Sequence, residues 1–170
     1  MADNPKLTVR WDELSADIQA LYPQENVRQP LRIVVDSKNR VTPEHALVHE
    51  PGETWFARTA PDSRAWPESV RDISVPEYNG RVDLVSMMML LGKQQINSIW
   101  VEAGANLAGA LLQAGLVDEL IVYLAPRLLG SDARGLCVLP GLDALADAPG
   151  FKFNEIRQVG PDVCLHLTHA

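Results

Sequence analysis

The sequence predicts an α/β fold with a mixed sheet, parallel at its centre, carrying an antiparallel hairpin at one side and helices on both faces. Three stretches carry that expectation. Ser98 to Val101 and Leu120 to Leu124 are short strand-forming runs with a helix-length segment between them, the pattern of a βαβ unit. Leu31 to Val35 (LRIVV) is a further strand, closed by the polar Asp36-Ser37-Lys38-Asn39. The C-terminal stretch offers two apolar arms around Gly160-Pro161-Asp162, the pattern of a hairpin.

Taken in order, Asp3-Asn4-Pro5 is a turn signal with almost nothing before it, which predicts that an N-terminal part of the domain is missing. Leu7 to Val9 then reads as a short extended piece. Trp11, Leu14, Ile18 and Leu21 mark one face of a helix, with Asp12 and Glu13 in the first turn where the dipole favours acids. Pro23 to Pro30 is a polar linker. After Leu31 to Val35, Ser37 can offer its hydroxyl or backbone N–H to a ligand, although an ordinary turn serine fits the pattern equally well. His45 and His49 stand four residues apart, but their segment is short, flanked by prolines and lacks the glutamate of a zinc-protease helix, so no metal site is expected. Thr54 to Ala57 and Ile73 to Val75 are short strands. Leu84 to Leu91 is apolar almost all round and predicts a buried helix, capped by Asp83 and stopped at Gly92, its methionines filling core space.

The segment from Ser98 to Pro126 organises the rest. Two strands joined by a helical crossover are expected to be parallel, and Glu102 then lies at the carboxyl end of the first, the rim where open α/β sheets bind ligands. Leu107, Leu111 and Leu112 share one helix face, and Gly115 is the C-cap. The free N–H groups of a first helical turn attract anions, so Gly104 to Ala108 is a candidate phosphate cradle. Gly104 lets the backbone come close and Gly109 lets the helix approach its neighbour. GANLAG is neither a dinucleotide GxGxxG nor a Walker loop, and a ligand-free turn stays open at this point, as does a purely electrostatic role for Glu102 at the helix N-terminus. Pro126 to Gly141 is a loop rich in glycine and proline. Phe151, Phe153 and Ile156 form one arm of the hairpin, and Val163, Leu165 and Leu167 alternate on the other, predicting one buried face.

The chain has 170 residues, 46% hydrophobic and 22% charged, which predicts one domain over residues 1–170 with a substantial core. A net charge of -7 argues against a nucleic-acid partner, because neutralising phosphates needs a basic face, yet it leaves room for a small anionic ligand. Cys137 and Cys164 stand far apart and predict free thiols in a reducing compartment. No signal peptide opens the sequence and no apolar run is long enough for a membrane helix. A cytoplasmic location without a membrane partner is expected.

Four stretches together resemble one family: ADNPKLTVR at Ala2 to Arg10, LRIVVDS at Leu31 to Ser37, VEAGANLAGALLQAGLVDEL at Val101 to Leu120 and LLGSDARG at Leu128 to Gly135. They are similar to the C-terminal reductase domain of the bifunctional riboflavin-biosynthesis deaminase-reductases. The resemblance implies a dihydrofolate-reductase-like fold, NADPH as cofactor, a phosphoribosylaminopyrimidine substrate and a homodimer. It implies hydride transfer from NADPH to C1 of the opened ribose unit of 5-amino-6-(5-phosphoribosylamino)uracil. It places Asp3 and Ser37 beside the NADPH, Leu7, Arg10 and Glu102 at the substrate, and Gly104, Ala105, Asn106, Leu107, Ala108, Gly109 and Ala110 around the cofactor, with no covalently reactive residue and no metal. A guanidinium such as that of Arg10 suits a phosphate through bidentate, charge-assisted bonds. The family pattern commonly has Asp at position 4 and a Pro or similar residue at 105, where this chain has Asn4 and Ala105. Its upstream strand, polar segment and arginine-bearing helix, and its zinc deaminase domain, have no counterpart in these residues, so impaired activity is expected. A related reductase acting on a pterin, or a noncatalytic dimerisation module, are the other readings.

Overall fold

A computed structural model describes residues 4–169. The chain groups into two compact units, Met1–Lys93 and Gln94–Ala170.

The first unit is built on a parallel sheet. α1 (Ala16–Leu21) is followed by β1 (Arg32–Val35), β2 (Thr54–Arg58) and β3 (Val70–Ser74), paired in that order with Val34 opposite Phe56 and Phe56 opposite Asp72. The three predicted strands are therefore present, each within a few residues of the expected bounds. Val34, Val41, Leu47, Val48 and Phe56 form the buried cluster, with Trp66 and Val70 packed against it. Fully burying a side chain of that kind stabilises by roughly 1.5–3 kcal/mol, so this small cluster holds the sheet.

Charged groups lie inside this unit as well. Arg58 is 1% exposed and faces three carboxylates, Asp72 at 2.7 Å, Asp62 at 3.3 Å and Asp36 at 3.5 Å, while its guanidinium carbon sits 4.2 Å from the Phe56 ring centre and 4.9 Å from that of Trp66. Asp62 also accepts hydrogen bonds from Arg64, which pull its carboxyl from 3.8 down to about 2, with Arg58 adding to the effect. A lowered folded-state value means that stability from Asp62 is fully present above its ordinary value of 3.8 and is lost as pH falls towards 2. Urea midpoints between pH 5 and pH 2 are expected to fall with acid, and Asp62→Asn is expected to flatten that slope; an unchanged slope would refute the assignment.

Several expectations for this unit need correction. Leu7 to Val9 is no extended piece, because Leu7 has φ +54 and turns the chain. The helix expected from Trp11 to Leu21 is broken into a 3-10 turn at Trp11–Glu13 and α1, since Leu14 is extended and Ser15 takes the N-cap position. The Trp11 ring turns aside to donate to the Tyr22 carbonyl at 2.8 Å, and Ile18 and Leu21 remain exposed. A short hairpin, β4 (Glu77–Tyr78) with β5 (Arg81–Val82), was not anticipated. Asn79 at φ +50 and Gly80 at φ +73 make the two-residue turn that right-twisted strands prefer. α2 (Leu84–Lys93) is capped by Asp83 as expected, which accepts from Val85 N at 3.2 Å and Ser86 Oγ at 2.6 Å. It runs through Gly92, however, and the left-handed residue beyond it is Gln95. Nor is it buried all round: Met87 and Leu91 face inward, while Met89 is 62% exposed.

The second unit contains α3 (Ala105–Gln113), β6 (Glu119–Leu124), β7 (Phe151–Val159) and β8 (Asp162–His169). α3 begins after Gly104 and ends in a Schellman motif, with Leu116 N donating to Leu111 O, Gly115 N to Leu112 O, and Gly115 at φ +64. The strands form an antiparallel sheet in the order β6-β8-β7. Ser98 to Val101 makes no ladder here, and Trp100 is 71% exposed, so the expected parallel βαβ unit does not form. Strand propensity expresses fit to a pleated partner, and among the described residues this run pairs with no strand, while β6 pairs antiparallel with β8. Parallel strands and antiparallel hairpin are both present, on separate sheets.

The hairpin hides an irregularity. β7 and β8 pair Phe153 with Leu167 and then Glu155 with His166, leaving Asn154 as a bulge. Phe153 and Ile156 are three residues apart and would otherwise point to opposite sides. The extra residue brings Phe151, Phe153 and Ile156 to the face of Val163, Leu165 and Leu167, joined by Leu120, Val122 and Leu124 of β6. The expected apolar face thus exists, yet Phe153 is 63% and Ile156 60% exposed, and the buried β8 residue is Cys164 on the opposite side.

Candidate functional site

In the first unit, a groove of about 610 Å³ is lined by Arg10 with Lys6, Val9, Trp11, Gln29 and Glu50 among others. Leu7, half-buried, turns the chain into it. Arg10 is exposed and ion-paired to Glu13 at 3.0 Å, one turn ahead on the same surface. An exposed pair of this kind contributes about 0–1 kcal/mol, so an incoming phosphate competes with Glu13 easily. The groove therefore combines a displaceable guanidinium with Lys6, which pairs with Glu50 at 3.0 Å. Asn4 carries the chain into this stretch at φ +40 and its side-chain oxygen accepts from Ala46 N at 2.9 Å. Asp3 lies outside the described residues.

Ser37 stands elsewhere in this unit, just past the carboxyl end of β1. Its Oγ accepts from Val82 N at 2.9 Å and its carbonyl accepts from Thr59 Oγ1 at 3.4 Å. The hydroxyl proton remains free to donate, because one acceptor position alone is used by Val82. Asp36 beside it is committed to the fold, accepting from Arg40 N and Val41 N at 2.9 and 3.1 Å.

In the second unit, Glu102 and residues 104–110 come together. Glu102 is exposed, two residues before Gly104, and accepts from Trp100 Nε1 at 3.2 Å. Gly104 is extended at the N-cap of α3 and supplies no side-chain cap. A Cβ there would meet nothing within 4 Å. The first turn of α3 therefore has no side-chain cap, and its amides carry the positive end of the helix dipole. Gly109 does permit a close approach, and the neighbour is the backbone of Val138. Val138 N donates to Ala105 O at 2.9 Å, and a Cβ on Gly109 would lie 1.9 Å from Val138 O.

Sequence reasoning missed the residues that hold these features in place: Asn4, Gln29 and Arg32, with the Asn79-Gly80 hairpin that reaches Ser37. A signal existed for two of them. Arg32 interrupts an apolar strand, and Asn-Gly between strand-forming residues is a strong hairpin signature. Among the described residues no group of three or more His, Cys, Asp and Glu side chains is arranged to hold a metal ion.

Comparison with known proteins joins these observations. The RibD C-terminal domain family model matches residues 1–165. The riboflavin biosynthesis protein RibD of Escherichia coli is 74% identical over 170 residues, covering the whole chain and 46% of that protein. The chain thus spans about half the length of several curated relatives it matches. A shorter relative, the 5-amino-6-(5-phosphoribosylamino)uracil reductase of Buchnera aphidicola subsp. Acyrthosiphon pisum, is 38% identical over 168 residues, 99% of this chain and 81% of that protein. The solved structure of Acinetobacter baumannii RibD, form 1, superposes with a TM-score of 0.78 at 26% identity over 99% of this chain and 44% of its own. The fold is accordingly the dihydrofolate-reductase-like α/β arrangement of those reductase domains. With the family model matching residues 1–165, the chain belongs to the RibD C-terminal domain family.

Proposed function

We propose that this chain acts as one reductase domain that reduces 5-amino-6-(5-phosphoribosylamino)uracil to its ribitylamino product in riboflavin biosynthesis, in the cytoplasm, using NADPH. The observation that carries this reading is the bare N-terminus of α3, where Gly104 leaves the first-turn amides without a cap. Those amides fit a pyrophosphate, and the open space over Gly104 lets one approach. The relatives named for this reduction support the choice of substrate.

Bound NADPH supplies the hydride. The first-turn amides from Gly104 to Leu107 would hold its phosphates, with Ala108, Gly109 and Ala110 continuing the helix beside it, and Ser37, with Asp3, would bind it by hydrogen bonding, the Ser37 proton being available for an acceptor. Arg10 leaves Glu13 to bind the substrate phosphate, and Leu7 shapes the entrance to the groove. Glu102 accepts from substrate hydroxyl or ring N–H groups and orients the sugar. Such positioning is the main contribution of a protein whose cofactor does the hard chemistry. A second copy covering the exposed Phe153 and Ile156 face gives the homodimer in this reading, since large apolar patches mark association surfaces.

The test is the thermal midpoint with and without NADPH, followed by NADPH consumption on adding the phosphoribosyl substrate. At a hundred times its dissociation constant the cofactor should stabilise by about 2.7 kcal/mol. An unshifted midpoint would remove the cofactor from the reading, and a shift without turnover would remove the substrate.

A further inference from the structure

The groove-lining segment ending at Arg10 has no secondary structure of its own, yet its backbone is held on both sides by one side chain. Gln29 Oε1 accepts from Val9 N at 2.9 Å, and Gln29 Nε2 donates to Val9 O at 3.3 Å. A glutamine amide used in this way imitates a neighbouring β-strand, satisfying donor and acceptor of one residue at once. Val9 is the residue immediately before Arg10, so the direction in which Arg10 leaves the backbone is set by this clasp.

The clasp is itself anchored. The Cβ of Gln29 lies 3.2 Å from where a Cβ on Gly52 would sit, a close approach made possible because Gly52 has none and stands at φ +96. The turn carrying Gly52 is gripped by Arg32, which is 3% exposed and donates to Glu50 O, Pro51 O and Gly52 O at 2.9, 2.7 and 2.9 Å and to Thr54 Oγ1 at 2.9 Å. Burial lowers the Arg32 pKa, with Glu50 opposing that shift. Glu50 on the same turn holds Lys6. A buried arginine on a core strand thus fixes a turn, the turn supports Gln29 and Lys6, and Gln29 fixes the residue beside Arg10. The segment is also strained, since Leu7 stands at φ +54, a conformation that persists only when its surroundings enforce it.

We propose that Gln29 is a positioning residue for phosphate recognition, holding Val9 so that Arg10 meets the substrate's 5′-phosphate in a productive direction. The inference rests on the proposed function above and deepens it. Gln29 touches neither ligand; it acts through the backbone of Val9.

Binding of four ligands to the chain by calorimetry tests this: 5-amino-6-(5-phosphoribosylamino)uracil, its dephosphorylated ribosyl counterpart, NADPH and inorganic phosphate as a control for anion binding. In Gln29→Leu, which loses both hydrogen bonds, affinity for the phosphorylated ligand is expected to fall about 5–10-fold, about 1–1.4 kcal/mol. Affinity for NADPH and for the dephosphorylated ligand should stay within twofold. Gln29→Met keeps the side-chain length, loses both hydrogen bonds without adding charge and should show the same selective loss; it decides the matter if the leucine variant does not fold. Equal losses for all ligands, or none, would mean that Gln29 is merely structural. An unsubstituted chain that does not prefer the phosphorylated ligand would overturn the inference together with the proposed substrate, whereas preserved preference in the variants overturns Gln29 alone.

Discussion

Gly109→Ala is expected to lower the thermal midpoint, although alanine is the better helix former by about 1 kcal/mol. The added methyl would lie 1.9 Å from the Val138 carbonyl oxygen and 2.7 Å from its carbon, and these are backbone atoms that no rotamer change can remove. Overpacking of this kind costs roughly 1–3 kcal/mol or more, which exceeds the propensity gain. Relief requires the Val138 backbone to move off α3, breaking its bond from Val138 N to Ala105 O at 2.9 Å. The midpoint should drop by several degrees, at roughly 2–4 °C per kcal/mol for a chain of this size. Gly92→Ala is the internal control: this glycine also lies in a helix, its Cβ would meet nothing within 4 Å, and the midpoint should rise slightly. If both substitutions raise it, the packing of Val138 on α3 is wrong. Because Ala105 opens the helix read as the phosphate cradle, Gly109→Ala should also weaken NADPH binding under the proposed function.

Arg58→Met is expected to be more damaging still. The change keeps an unbranched side chain between Phe56 and Trp66 but leaves Asp36, 2% exposed, without its guanidinium, while Asp62 keeps Arg64 alone. Removing one partner of a buried ion pair typically costs about 3–5 kcal/mol because the remaining charge is stranded. Against a total stability of about 5–15 kcal/mol, that leaves a marginal fold. Urea denaturation should show the loss directly, and the double variant Asp36→Asn with Arg58→Met should recover part of it. Additive losses in that cycle would mean that Asp36 and Arg58 do not interact energetically. The Arg58 Nε has no hydrogen-bond partner among the described residues, which makes this arginine a costly group to keep and its cluster a matter of geometry as much as stability.

The sequence made the first unit's strands legible because LRIVV and TWFA are apolar runs bounded by turn residues, a purely local signal. Asp83, Gly115 and the Gly160-Pro161 turn were legible for the same reason. Ser98 to Val101 failed because a strand requires a partner, and partner identity is not encoded in the run itself. The helix from Trp11 failed because the indole found a carbonyl across the turn, a tertiary bond that overrides spacing. At the candidate site, Gly104 and the α3 N-terminus could be read from strand-turn-helix chemistry, while Leu7 and Arg10 drew attention only through family resemblance. Gln29 was invisible to both, because a side chain that clasps a backbone twenty positions away leaves no spacing signal.

The bulge at Asn154 places a counting rule on the hairpin. The apolar residues of β7 on either side of it keep opposite parity, odd before and even after, and one supernumerary residue reconciles them. Fitted into a regular ladder, Asn154 would send Phe151 and Phe153 to the side of Cys164 or Ile156 away from Leu165, whereas deleting it alone would leave a regular ladder with the same face. Any other single-residue insertion or deletion in this arm would shift one set against the other, so one unpaired residue, its amide 3.2 Å from His166 Nδ1, governs which surface the domain shows to its surroundings.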